Sequence, residues 1–135
     1  ISPFLPNSKE YLNCGIYTEA HKSVNPWSGI KSTSALLYVM AAKFMKEHQL
    51  DELIILNEFG RVCEGLTSNI YLEKEGIFYT PPLGEGCIDG VHRKSLILDI
   101  NKKIIVEKEL TLDELKTGQI YFSNAIRGLI PAKLI

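Results

Sequence analysis

Little in this chain marks a specialised class. Only three cysteines, Cys14, Cys63 and Cys87, are spread over 135 residues. An odd, widely spaced set builds no dense disulfide framework and no close metal-ligand pair, so a reducing, cytoplasmic setting is expected. Charge of one sign is also lacking: 15 basic residues face 16 acidic ones, for a net charge of -1. That balance gives neither nucleic acid nor an anionic membrane an electrostatic hold. No apolar run approaches the length of a membrane span, and no signal peptide is evident. His21, His48 and His92 are too scattered for a metal site, so no metal is expected. Asp89 and His92 have no adjacent nucleophile to complete a hydrolase triad. G-x-G-x-x-G, phosphate-loop, repeat and low-complexity signatures are missing as well.

What is present suits one compact domain, since 45% of the residues are hydrophobic. Ile1 to Asn7 reads as a linker, and a chain that starts at Ile1 is expected to be processed, cut or part of something longer. An apolar, β-compatible run predicts a strand from Tyr11 to Tyr17. Asn25 to Gly29 is a loop by its turn residues. Ser32, Thr33 or Ser34 can cap a helix whose apolar positions Leu36, Leu37, Met40, Ala41, Phe44 and Met45 recur at helical spacing through Lys46. Tyr38 and Phe44 read as packing residues of that helix. Glu52 to Leu56 is a short strand, followed by a turn over Asn57 to Gly60. Asn69 to Leu72 and Ile77 to Thr80 flank Glu73-Lys74-Glu75-Gly76 as a hairpin. A helix is expected near Val91 and a strand over Lys103 to Glu107. Thr111 to Leu115 has the form of a short capped helix, and Ile120 to Phe122 of a strand. Separate helices among short mixed strands predict an α+β fold.

Two residues suggest chemistry. Lys31 stands beside the Asn25 to Gly29 loop at the start of the helix. Glu64 follows 33 residues later in Glu64-Gly65-Leu66-Thr67-Ser68-Asn69-Ile70-Tyr71. Taken singly, Lys31 reads as a surface charge and Glu64 as a turn acid. Together they suit pyridoxal phosphate: an amine holds the aldehyde as a Schiff base, and a buried carboxylate holds the protonated ring nitrogen. The freed amine would then move a proton at the substrate carbon. Gly90-Val91-His92-Arg93 lies at a predicted helix start, where free N–H groups can hold a phosphate. Ser123 and Asn124, at a strand end, could add donors. The competing reading makes each of these an ordinary cap or turn. Arg93 and Arg127 could meet a substrate carboxylate or phosphate, or project into solvent. Trp27 could line a site near Lys31 or simply cover the core.

At these positions the chain resembles the class IV family of pyridoxal-phosphate enzymes, which includes branched-chain and D-amino-acid aminotransferases and aminodeoxychorismate lyases. The resemblance runs from Lys31-Ser32-Thr33-Ser34 through Asp51 to Asn57, Gly60 to Tyr71 and Tyr79-Thr80-Pro81-Pro82-Leu83. It implies the α+β, D-amino-acid aminotransferase-like fold, of which this would be the C-terminal cofactor-binding domain. Residues 1–30 would lead in, residues 31–135 would bind pyridoxal 5'-phosphate, and a smaller N-terminal domain would be absent. Lys31 would be catalytic and, with Glu64, would hold the cofactor. Gly90, Val91, His92, Ser123 and Asn124 would serve its phosphate. His92 replaces the family's usual small hydroxyl residue, and Ser34 its frequent asparagine. The implied reaction is amino-group transfer between an amino acid and a 2-oxo acid, in a homodimer. The alternatives are an aminodeoxychorismate lyase, which acts on aminodeoxychorismate to release pyruvate and 4-aminobenzoate, and a noncatalytic ligand-binding or assembly domain.

Overall fold

The computed structural model describes residues 10–27, 34–88, 93, 104–124, 126 and 128–135. Its strands are β1 Leu12–Lys22, β2 Glu52–Asn57, β3 Val62–Gly65, β4 Asn69–Lys74, β5 Ile77–Thr80, β6 Ile104–Glu107, β7 Gln119–Asn124 and β8 Gly128–Leu134. The helices are α1, Ala35–Glu47, and α2, Leu112–Leu115. The helix expected near Val91 falls outside the described residues, as do Lys31, Gly90, Val91, His92 and Arg127. No helix among the described residues is long and apolar enough to cross a membrane.

All eight strands form one mixed sheet in the order β3-β2-β1-β8-β7-β4-β5-β6. β1 runs parallel to both β2 and β8, and β5 runs parallel to β6. The parallel β1–β2 pair needs a crossover, and α1 lies within it. Every residue of β2 is buried, and its side chains alternate between two cores. Leu53 and Ile55 pack with Tyr17, Tyr38, Ala41 and Leu66 around α1. Ile54 and Leu56 join Val62, Ile70, Leu72, Phe122 and others on the opposite face. A strand covered on both faces reads as a continuous apolar run, as Leu53-Ile54-Ile55-Leu56 does.

The order of the strands forces the sheet to curl. β3 lies at one edge, five strand spacings from β4, which would be roughly 24 Å in a flat sheet. Only residues 66–68 join β3 to β4, a link that spans at most about 14 Å when fully extended. The edge therefore folds back toward β4 and β7. Gly65 is needed at that approach, because a Cβ there would lie 2.8 Å from the Phe122 ring of β7.

Several elements follow their local signals. Glu75 and Gly76 both have positive φ, 51° and 84°, as a two-residue β-hairpin turn requires. Thr111 and Glu114 form the expected capping box at α2. Ser34 stands at the start of α1 without a side-chain cap bond. Gly118 precedes β7 with its Cα against the Glu73 carbonyl oxygen, where a Cβ would collide with main chain. We expect Gly118→Ala to cost about 1–3 kcal/mol by overpacking, measured as a lower urea midpoint with an unchanged slope. A midpoint equal to the parent's would show that the β4–β7 contact yields easily.

Three strands depart from the sequence reading, which has no strand at β3 and reads Glu64 there as a turn acid. β1 runs to Lys22, five residues past Tyr17, through the exposed polar stretch Thr18 to His21. β8 contains Pro131, a residue that argues against a strand. Pro131 is tolerated because it faces Tyr121 of β7, while pairing with β1 begins only at Ala132.

Candidate functional site

Glu64 sits in β3 opposite Ile55 of β2, with 2% of its side chain exposed. Its Oε2 accepts from Lys22 Nζ at 3.0 Å and from the Tyr38 hydroxyl at 2.6 Å. Lys22 Nζ also donates to the Tyr38 oxygen at 2.9 Å. The Lys22 side chain is 0% exposed. Three elements thus converge on one carboxylate: the end of β1, the inner face of α1 and β3. Burial first, and then the charge of Glu64, push the Tyr38 phenol well above its ordinary value, so Tyr38 remains protonated and donates.

Glu64 Oε1 accepts from the backbone N–H of Ile88 at 2.7 Å. The carbonyl of Ile88 in turn accepts from Asn69 Nδ2 at 2.8 Å. Asn69 faces Ser123 across β4 and β7. Ile88 therefore ties Glu64 to the strand ends. Ser123 is buried and donates to the Tyr71 hydroxyl at 2.8 Å. Asn124 donates to the Thr67 carbonyl at 3.2 Å and accepts from the Ile126 N–H at 3.0 Å. Ser123, Asn124, Asn69 and the residues after Glu64 lie at one end of the curled sheet.

A second buried carboxylate shapes that end. Glu52 opens β2 and accepts from Leu66 N at 2.7 Å, Thr67 Oγ1 at 2.9 Å and Ser68 Oγ at 2.6 Å. These bonds hold the tight return just after Glu64. Arg93 is buried and donates to the Pro81 carbonyl at 3.1 Å and to Glu107 at 2.5 Å. Trp27 is 61% exposed and so does not cover the core.

A cleft of about 220 Å³ is bordered by Lys22, Asn25, Ser34 and Leu37, among others. Its walls come from both sides of residues 28–33, the segment that holds Lys31. Glu64, Ser123 and Asn124 do not line it. No group of three potential metal ligands occurs among the described residues.

The sequence profile of the class IV amino-transferases matches residues 1–135. The chain belongs to the class IV aminotransferase family. Among curated relatives, it is 29% identical to the D-alanine aminotransferase of Bacillus licheniformis over 109 residues, covering 78% of this chain and 38% of that protein. It is 34% identical to the aminodeoxychorismate lyase of Bacillus subtilis over 84 residues, covering 59% of this chain and 28% of that one. A crystal structure from Mesorhizobium loti, provisionally described as an amino-acid aminotransferase, superposes with a TM-score of 0.81 at 31% identity, covering 93% of this chain and 60% of the other. The fold is the α+β, D-amino-acid aminotransferase-like fold of class IV enzymes. The chain spans between a quarter and two fifths of the length of these curated relatives.

Lys22, Tyr38 and Glu52 are the site-forming residues that sequence reasoning misses. Tyr38 packs in the helix core as expected, but its hydroxyl also serves Glu64. Lys22 closes a polar run with no local signal of burial. Glu52 reads as a strand's polar first residue.

Proposed function

We propose that the protein is a pyridoxal-phosphate-dependent enzyme that transfers an amino group between an amino acid and a 2-oxo acid. The observation that carries this reading is the state of Glu64. A carboxylate has about four acceptor positions, two on each oxygen. Among the described residues, Lys22 and Tyr38 fill Oε2, whereas Ile88 alone occupies Oε1. One acceptor position on Oε1, shielded from solvent by burial of the side chain, remains for a further N–H donor, and a protonated ring nitrogen is a donor of that kind. The donor set therefore suits the cofactor.

When bound, the cofactor supplies an electron sink for the substrate carbanion. Glu64 would hold the ring-nitrogen proton in place. Gly90, Val91 and His92, with Ser123 and Asn124, would bind the phosphate. Lys31 would hold the cofactor, and its amine would take and return the proton at the substrate carbon. Lys22 cannot fill that role in this arrangement. Lys22 is 3.0 Å from Glu64 and is its counter-ion.

The test is borohydride reduction of the cofactor-loaded, full-length protein, followed by peptide mass mapping. The cofactor mass should appear on the peptide that contains Lys31, and Lys31→Ala should abolish it. Modification of Lys22 or another lysine instead would overturn the assignment. The likeness to the Bacillus subtilis lyase supports a second reading, release of pyruvate and 4-aminobenzoate from aminodeoxychorismate. Assaying 2-oxoglutarate amination beside 4-aminobenzoate release separates the two, and neither product from loaded protein would favour a noncatalytic domain.

A further inference from the structure

The cofactor reading of Glu64 does not by itself explain why a lysine is buried beside it. Lysines are almost never fully buried unless paired, and an apolar pair of similar volume often serves stability as well. We propose that Lys22 is a positioning residue that, with Tyr38, saturates Oε2 of Glu64 and reserves Oε1 for the protonated ring nitrogen of the cofactor. This inference rests on the proposed role of Glu64.

Three hydrogen bonds among Lys22, Tyr38 and Glu64 form a closed ring. Lys22 reaches the carboxylate directly and again through the Tyr38 hydroxyl, so the Glu64 side chain is held from two directions. Ile88 fixes the other oxygen from the main chain. The carboxylate is thereby oriented before any ligand arrives. Charge matters as much as geometry. A buried carboxyl group without a cation is cheapest in its neutral form. That form carries a proton of its own and accepts a ring N–H poorly. The Lys22 cation, 3.0 Å from Oε2, pairs with the carboxylate from the last residue of β1, beyond an irregularity in the β1–β2 register. Because Oε2 is already filled, a new donor is directed to Oε1.

The experiment measures equilibrium binding of pyridoxal phosphate to the full-length protein by fluorescence quenching. Lys22→Met retains much of the stem and removes the charge; Lys22→Arg retains the charge. Affinity should fall at least about tenfold in Lys22→Met and stay within about threefold in Lys22→Arg. In a Glu64→Gln background, Lys22→Met should change affinity by less than about twofold, because its effect passes through the carboxylate. Losses that multiply in the double variant would overturn the role of Lys22 alone. So would wild-type binding by Lys22→Met beside weakened binding by Glu64→Gln. Equal binding by wild type and Glu64→Gln would overturn the cofactor reading of Glu64, and the role of Lys22 with it. If Lys22→Met alone does not fold, the Glu64→Gln protein and the charge-free double variant still give the decisive comparison.

Discussion

Replacing Glu64 with glutamine should destabilise the cofactor-free protein by about 3–5 kcal/mol, the usual cost of leaving one member of a buried ion pair alone. The Lys22 and Glu64 side chains are 0% and 2% exposed, so water cannot replace the lost partner without opening the core. Glutamine preserves the shape but not the acceptor count. With its oxygen toward Lys22 and Tyr38, its NH₂ faces the Ile88 N–H, donor against donor. Turned the other way, its NH₂ faces the ammonium and the phenol. Either orientation leaves a buried donor without its bond, which adds to the electrostatic penalty. Urea denaturation measures the effect, and with a slope of about 1–3 kcal/mol/M the midpoint should fall by more than 1 M. Lys22→Met combined with Glu64→Gln should be more stable than Glu64→Gln alone, because it removes the stranded charge. A Glu64→Gln protein within about 1 kcal/mol of the parent would mean that the pair is open to solvent.

The parts of this fold that are legible in the sequence are those governed by local rules. The apolar spacing through Leu37, Ala41, Phe44 and Met45 specifies α1, and Glu75-Gly76 specifies a two-residue turn. Thr111 and Glu114 announce their capping box three residues apart. Long-range pairing is harder to read. β3 has four residues, ends in glycine and is held at the sheet edge by β2 alone. β8 is a strand because β7 and β1 flank it, despite Pro131. Glu64 stands out because of the residues that follow it, whereas Lys22 has no comparable setting. His21 and the exposed residues before it make the end of β1 look like a solvated loop, and only the fold shows that the next side chain turns inward. A lysine that acts through another residue needs no motif of its own. Burial is its only mark, and burial is a property of the assembled sheet.

Alkaline pH should unfold the protein steeply, and the three free thiols set the window. Burial pushes Cys14 up to about 12 and Cys87 up to about 11 from an ordinary value of 9.0, and it raises Cys63 as well. Below pH 9 both folded and unfolded chains keep these protons, so the thiols leave stability independent of pH. Above 9 the unfolded chain releases them while the folded chain retains them. The unfolded state then binds fewer protons, and stability falls as pH rises, until the folded thiols themselves ionise near 11–12. Each thiol contributes a slope of about 1.4 kcal/mol per pH unit, so three approach about 4 kcal/mol per unit. Domains of this size are stable by about 5–15 kcal/mol, which places the collapse between one and a few pH units above 9. Tyr38 and Tyr71, also raised chiefly by burial, steepen the fall above pH 10. Urea midpoints taken from pH 7 to 11 should be level below pH 9 and then drop. Cys87→Ala should flatten the drop by about a third, even if it lowers stability at neutral pH. A thiol reagent supplies an independent check, since protonated, buried cysteines should react only on unfolding. Rapid labelling of the native protein at pH 8, or a midpoint that stays level through pH 10, would show that the thiols titrate as exposed groups and that the core around Glu64 is wetter than its packing implies.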